Sequence, residues 1–86
     1  MKRHYTQADK DFRARVLKRD KYKCQMCGYK VRRFLQVHHI VRYADNTALR
    51  YDDDNGITLC TRCHYKVRNQ EHLYIELFRK LRKGNG

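Results

Sequence analysis

The sequence lacks any apolar run long enough to cross a membrane, and no apolar stretch typical of a signal peptide follows its first five residues. We therefore expect a protein of the reducing cytoplasm that has no membrane partner. Acidic residues are also scarce: nine Asp and Glu stand against 21 Lys and Arg, which gives a formal net charge of +12. A small domain this basic is typical of proteins with a polyanionic partner, and nucleic acid is the leading candidate.

The chain is also short of core-forming residues. Of its 86 residues, 24 are Ala, Val, Ile, Leu, Met or Phe. This composition predicts one small domain over residues 1–86 whose apolar core is too thin to stabilise it alone. A structural metal ion would supply the missing stability, because its binding free energy becomes folding free energy.

The four cysteines form two pairs, and each pair is separated by two residues. Two CxxC pairs in a short chain are a strong zinc signal. Since we expect no export signal, metal ligation is favoured over two disulfides. We therefore predict one structural Zn²⁺ held by all four thiolates, which belong to Cys24, Cys27, Cys60 and Cys63.

The first half of the chain predicts a helix and a strand. Thr6 is followed three residues later by Asp9, as in a capping box, and the apolar spacing that begins at Phe12 predicts a helix over residues 7 to about 19. The basic residues of this helix either form a solvated face or contact phosphates, and both interpretations stay open. The β-forming residues from Val31 to Val41 predict a strand.

The second half predicts a loop, a short strand and two helices. Residues 43–55 are polar and indicate a loop, residues 57–59 indicate a strand, and a helix follows from Thr61. Asn69 is the expected cap of a basic C-terminal helix over about residues 70–83. Leucines recur there every four residues, and we expect them to face the core rather than a dimer seam: Leu73, Leu77 and Leu81.

Three histidines and one asparagine have the chemistry that a phosphodiester-cleaving site requires. His39 suits a general base, because an imidazole titrates near neutrality, and His38 and His64 suit ligands of a divalent metal. The amide of Asn55 suits a group that fixes a strand or an imidazole by hydrogen bonds. In a regular strand His38 and His39 point to opposite faces, so both serve one site only if the strand ends or twists sharply there.

At this point the chain resembles the HNH endonucleases. The similarity covers about residues 12–68, and the segments that carry it are FRARVLKRD at 12–20, YKCQMCG at 22–28, VHHI at 37–40 and DNGITLCTRCH at 54–64. The resemblance implies an α+β fold of the ββα-metal type, in which a hairpin packs on a helix around one divalent cation. Here that domain is zinc-stapled and flanked by an N-terminal and a C-terminal helix. It also implies hydrolysis of DNA phosphodiester bonds.

The family pattern assigns a role to each motif residue. His39 is the general base, His38 the first metal ligand, Asn55 the middle motif residue and His64 the last ligand. Some relatives carry a further histidine where this chain has Arg68, which suits a phosphate oxygen instead. We expect Mg²⁺, Mn²⁺, Ni²⁺, Co²⁺ or Zn²⁺ as the reactive ion, and the further candidate DNA contacts are Arg62, Lys66 and Arg42.

Two other classes of protein are also compatible with the sequence. One is a non-catalytic, zinc-stapled DNA-binding module, and the other is a zinc-based module that binds an acidic protein. A zinc staple requires neither the histidine doublet nor Asn55 and His64, so these residues favour the endonuclease. The sequence is compatible with nicking or double-strand cleavage, by a monomer or a homodimer. By analogy, so small a nuclease fits a phage or mobile element, which would place it in the host-cell cytoplasm.

Overall fold

A computed structural model describes residues 6–41 and 49–84, the last three without their side chains. Its main elements are α1 (Gln7–Arg19), β1 (Leu35–His39), β2 (Gly56–Cys60), α2 (Thr61–Val67) and α3 (Glu71–Gly84), and a 3₁₀ turn precedes each strand. The two strands pair antiparallel, so that Leu35 lies opposite Cys60 and His39 lies opposite Gly56. This two-stranded sheet flanked by helices confirms the predicted α+β fold.

Helix α1 begins at the predicted capping box. Thr6 Oγ1 accepts a hydrogen bond from the Asp9 amide at 3.3 Å, and Asp9 Oδ2 accepts one from the Thr6 amide at 2.8 Å. Two donors that a helix start would otherwise leave unpaired are thereby satisfied. The helix buries Phe12, Val16 and Leu17, which gives it one apolar face.

The end of α1 is tied to β2 by a buried ion pair. Arg19 Nε donates to Asp20 Oδ1 at 2.9 Å, and the same guanidinium donates to the carbonyls of Asp53 and Gly56 at 2.7 Å each. The second oxygen of Asp20 accepts from the Thr58 amide at 2.9 Å. These hydrogen bonds offset the desolvation of the buried Asp20 carboxylate and fix the start of β2 against α1.

Strand β1 is shorter than predicted. The prediction covered Val31 to Val41, whereas residues 32–34 form a 3₁₀ turn and the strand runs only over Leu35–His39. A strand pairs only as far as its partner extends, and β2 gives way to α2 directly after Cys60. The predicted loop lies partly outside the described residues; its described part, residues 49–55, contains the 3₁₀ turn Asp53–Asn55.

In the C-terminal region the structure differs from the sequence prediction in two details. Asn69 has φ +65° and therefore ends α2 in the left-handed conformation, whereas α3 begins two residues later at Glu71. The expectation that the leucines face the core is wrong for Leu73 and Leu77, which are exposed. The core-facing residue of α3 is Phe78, which is fully buried. An aromatic ring buries more apolar area than a leucine, so it decides which face packs.

The core occupies both faces of the hairpin. Phe12 and Val16 of α1 lie on one side, and Val67 of α2 and Phe78 of α3 belong to the core as well. Within residues 6–41 and 49–84, no helix combines the length and the apolar character that crossing a bilayer requires. His38 and His39 lie on the strand between these two packed layers, and His64 lies on α2.

Gly56→Ala tests the contact between α1 and the start of β2. A Cβ at this position would lie 2.7 Å from Val16 Cγ2 and 2.8 Å from Phe12 Cζ, so side chains must shift to admit it. We expect the substitution to lower the free energy of unfolding by about 1–3 kcal/mol in a denaturant titration.

Gly28→Ala is the matched comparison. Its φ is +83°, and a Cβ there meets no atom within 4 Å, so its cost is limited to the left-handed backbone, about 1–2 kcal/mol. A Gly56→Ala variant as stable as the parent would contradict the packing described here.

Candidate metal centres and active site

The four cysteine sulfurs converge on one point. They come from the turn after α1, the end of β2 and the first turn of α2, and all four Sγ atoms lie within 4.8 Å of one another. A tetrahedral zinc with bonds of about 2.3 Å places its sulfurs about 3.8 Å apart. Cys27 Sγ and Cys60 Sγ are 3.6 Å apart, and none of the four is in a disulfide. The predicted cysteines are therefore positioned to hold a metal ion.

Local backbone turns shape this cysteine cluster. The Gly28 amide donates to the Cys24 carbonyl at 2.8 Å, and the Cys24 amide donates to the Tyr29 carbonyl at 2.8 Å. Gly28 takes the left-handed conformation that this turn requires, as its position in the sequence predicts. In the second pair, the Cys63 amide points at Cys60 Sγ at 3.5 Å. Each pair thus curls its backbone around the sulfurs.

The pKa values of the cysteine thiols favour the binding of a cation in this cluster. Burial raises the pKa of the Cys24 thiol, but backbone N–H groups from Cys60, Cys27 and Met26 outweigh it and lower that pKa to about 7. Burial, followed by the neighbouring sulfurs, raises the pKa of Cys63 well above its usual range. One thiol ionises readily, and its negative charge then opposes the ionisation of the other three. A bound dication would remove that repulsion.

His38 and His64 form a second candidate metal site. His38 is 6% exposed, and within the described part of the chain its Nε2 has no hydrogen-bond partner. The ring centroids of His38 and His64 are 5.5 Å apart, and Phe78 packs edge-on against His38. A buried imidazole nitrogen without a partner is costly unless it binds something. The pair therefore fits the two nitrogen ligands that the sequence predicts.

The pKa values of both imidazoles favour the ligating form. Burial, followed by the nearby His64, lowers the pKa of His38 to about 4. Burial, followed by the positive charge of Arg68, also lowers the pKa of His64. A histidine with a lowered pKa is neutral at physiological pH, and the neutral ring offers a lone pair to a metal.

Glu71 is a residue that the sequence analysis missed. Its negative charge partly offsets the lowering of the pKa of both His38 and His64, so it acts on both candidate ligands. It is the half-buried first residue of α3 and lies seven residues before Phe78, hence on the same helix face. It follows the segments that resemble the HNH family. The sequence feature that could have pointed to Glu71 is the scarcity of acidic residues in this region, since Glu71 and Glu76 are the only acids after residue 54.

His39 lies on the opposite face of β1 from His38. Its ring stacks on Phe12 with centroids 5.0 Å apart, and its Nε2 lies 2.9 Å from the Arg50 carbonyl. A carbonyl only accepts, so Nε2 carries the proton and the lone pair of the neutral ring is on Nδ1. His39 also lines a cavity of about 250 Å³ between α1 and β1. The structure thus brings His38 and His64 together and holds His39 across the strand from them.

Asn55 fixes the backbone rather than an imidazole. Its Oδ1 accepts from the Val41 amide at 2.8 Å, and its Nδ2 donates to the carbonyls of Val41 and Leu49 at 2.9 and 3.2 Å. The Asn55 carbonyl accepts from the Ile40 amide at 2.7 Å. One buried side chain therefore ties the residues after β1 to the residues before β2.

The predicted basic contacts lie on or beside α2. Arg62, Lys66 and Arg68 are all exposed to solvent. The Arg68 guanidinium carbon lies 5.9 Å from the centroid of the Tyr65 ring. Arg42 lies outside the described residues.

The HNH endonuclease family model matches residues 24–70, which is more than half of the chain. No curated protein and no solved structure matches it. The matched segment contains both cysteine pairs, the histidine doublet, Asn55 and His64. The chain belongs to the HNH endonuclease family.

Proposed function

We propose that this domain is a metal-dependent endonuclease that hydrolyses DNA phosphodiester bonds. The observation that carries the proposal is the buried Nε2 of His38, which has no hydrogen-bond partner among the described residues and belongs to a ring whose centroid lies 5.5 Å from that of His64. The next residue, His39, is oriented by a carbonyl as a general base would be. A net charge of +12 and the family of the chain support DNA as the substrate.

In the proposed reaction, His39 Nδ1 takes a proton from water as the water oxygen bonds to phosphorus. The Arg50 carbonyl and the Phe12 ring hold His39 in place, and the hydrogen bond to the carbonyl stabilises the imidazolium that forms. The bond from phosphorus to the leaving oxygen breaks, that oxygen takes a proton from solvent, and His39 releases its proton to solvent. β1 ends at His39, and in this proposal the scissile phosphodiester lies at that strand end, where the two faces of the strand meet.

His38 and His64 are the proposed ligands of a divalent ion, with Mg²⁺, Mn²⁺, Ni²⁺, Co²⁺ and Zn²⁺ as candidates. When bound, such an ion supplies charge that polarises the phosphate and stabilises the leaving oxygen. Glu71 adds a negative charge beside both imidazoles, which favours a cation there. Asn55 keeps the strand end in place, and Arg62, Lys66 and Arg68, with Arg42, are the proposed phosphate contacts.

We also propose that the cysteine cluster holds one structural Zn²⁺ and that the domain works in a reducing cytoplasm, where its thiols stay free. Metal analysis of the purified protein should give about one zinc per chain. A chelator under reducing conditions should unfold the domain, because structural zinc contributes on the order of 10 kcal/mol. A zinc-free preparation that stays fully folded under those conditions would exclude this role for the cluster.

His39→Ala tests the assigned base. We expect supercoiled-plasmid cleavage to fall at least about a hundredfold, while folding, zinc content and DNA binding are kept. The assay compares the parent and the variant with each candidate divalent ion in turn.

His72→Ala is the matched control, since His72 is an exposed histidine of α3. It should cleave like the parent. Equal cleavage by His39→Ala and the parent would remove the role of His39. An absence of cleavage by the parent with every ion would instead favour the non-catalytic DNA-binding module.

Glu71→Gln tests the carboxylate beside the two histidines. We expect the affinity for Mn²⁺, measured by calorimetry on the zinc-loaded protein, to fall about 10- to 100-fold, as when a supporting carboxylate is lost from a metal site. His64→Ala should abolish the same binding, because it removes a ligand. This measurement does not depend on cleavage.

Glu76→Gln is the control for Glu71→Gln. Glu76 lies on the same helix, is exposed and pairs with Arg79 at 3.8 Å. It should leave Mn²⁺ binding unchanged. If Glu71→Gln binds Mn²⁺ as tightly as the parent does, Glu71 has no part in the site.

A further inference from the structure

An open groove of about 690 Å³ lies beside the cysteine cluster, and we call it the aromatic groove. Two cysteines of the cluster, Cys27 and Cys60, form part of its wall. The other lining residues come from the segment before β1 and from α2: Tyr29, Phe34, Thr61, Arg62, Tyr65 and Lys66. None of His38, His39 and His64 lines this groove, and the proposed function uses only its Arg62 and Lys66, as phosphate contacts.

Three aromatic side chains of the groove are open to solvent. Tyr65 is 73% exposed, Tyr29 43% and Phe34 40%, and the last two rings have centroids 6.4 Å apart. None of them belongs to the buried core. Folding therefore does not account for them, and exposed apolar surface gathered in a concave site is typical of a binding site.

The two segments that build the groove carry charge of one sign. Residues 27–37 and 60–68 contain six Lys and Arg and no Asp or Glu. Four thiolates around one Zn²⁺ would carry a net charge of about −2, which leaves the region strongly positive. Some of this charge lies over the rings: the Arg33 guanidinium is 4.9 Å from the Phe34 centroid, and that of Arg68 is 5.9 Å from Tyr65.

We propose that the aromatic groove binds an unpaired stretch of DNA. Its bases stack on Tyr65 and Phe34, and its phosphates meet Arg62 and Lys66. Aromatic faces interleaved with cations are how proteins bind single strands without reading their sequence. A duplex does not fit this site, because paired bases cover one another and offer no free face.

The other occupants fit the groove less well. An acidic peptide would match the charge but carries a flat ring only at its aromatic residues, whereas every nucleotide of a single strand carries one. A second copy of this chain would bring another net charge of +12 to a positive surface. A single strand supplies both the negative charge and the rings.

The position of the groove on α2 gives it a place in the proposed function. Tyr65 directly follows His64, and Arg62 precedes it by two residues on the same short helix. The groove and the proposed metal pair therefore share helix α2, on which residues one or two apart face different sides. The inference rests on the proposed function for the choice of DNA, and it names a substrate class: DNA with an unpaired segment, such as a flap, a bubble or a branch, in preference to continuous duplex.

Fluorescence anisotropy with three labelled DNAs tests this proposal. The zinc-loaded protein, without other added metal, is titrated with a single strand, with a strand of equal length that has abasic sites, and with a duplex. The parent should bind the base-containing strand about tenfold more tightly than the abasic strand. It should also bind that strand more tightly than the duplex at equal phosphate number.

Substitutions at Tyr65 assign the effect to the groove. Tyr65→Ala should lose about tenfold in affinity for the base-containing strand and bind the abasic strand as the parent does. Tyr65→Phe keeps the ring and should bind like the parent, and Phe34→Ala should behave like Tyr65→Ala. Leu73→Ala, which truncates an exposed residue of α3, should change nothing. Zinc content verifies the fold, and Tyr65→Leu replaces Tyr65→Ala if that variant loses zinc.

Several outcomes would overturn the proposal. They are equal binding of base-containing and abasic strands by the parent, an equal loss for both strands in Tyr65→Ala, and tighter binding of the duplex than of the single strand. Equal competition by an oligoglutamate of matched charge would indicate an acidic polypeptide instead. Plasmid cleavage separates the two proposals. If the protein cleaves plasmid but binds base-containing and abasic strands equally, the endonuclease proposal stands and the groove proposal fails. If it prefers the base-containing strand but does not cleave, the groove proposal stands and the endonuclease proposal fails.

Discussion

The convergence of the four cysteine sulfurs is the constraint on which the rest of the structure depends. Cys60 and Cys63 span the junction of β2 and α2, and the register places Leu35 of β1 opposite Cys60. From that point His38 is three residues along its strand, and His64 is the first residue after the cluster. A metal held at this junction therefore also fixes the angle between strand and helix that sets the two imidazoles 5.5 Å apart.

The net charge of the chain does not by itself locate the surface for a polyanion. Three arginines of α1 bind the protein itself: Arg13 donates to the Leu35 carbonyl at 3.2 Å, Arg15 pairs with Asp53 at 2.8 Å, and Arg19 pairs with the buried Asp20. A guanidinium with internal partners is less available to phosphate. Arg62, Lys66 and Arg68 are exposed, so the helix that carries His64 and the residue after it offer positive surface to a polyanion.

The sequence predicted what local chemistry decides. The capping box of α1 and the cysteine pairs each depend on residues a few positions apart, and both predictions were confirmed. Tertiary contacts decided the rest. The faces of α3 depend on whether Phe78 or a leucine packs best, and Glu71 reaches the histidines only because α3 folds back onto β1. Neither fact has a signature in nearby sequence.

The division of His38 and His39 between two faces explains why so small a domain needs the Asn55 hydrogen bonds. Successive side chains of a strand point to opposite faces, so the rings of His38 and His39 are separated. One phosphate can approach both rings only where the strand ends, and the position of that end must therefore be fixed. Three hydrogen bonds from the Asn55 side chain fix that place, because they hold Val41 and Leu49 just beyond the strand end. The apolar core packs the two faces separately and cannot set this position. Among the described residues, the Asn55 side chain therefore fixes the strand end at which the proposed base and the proposed metal would address the same phosphate.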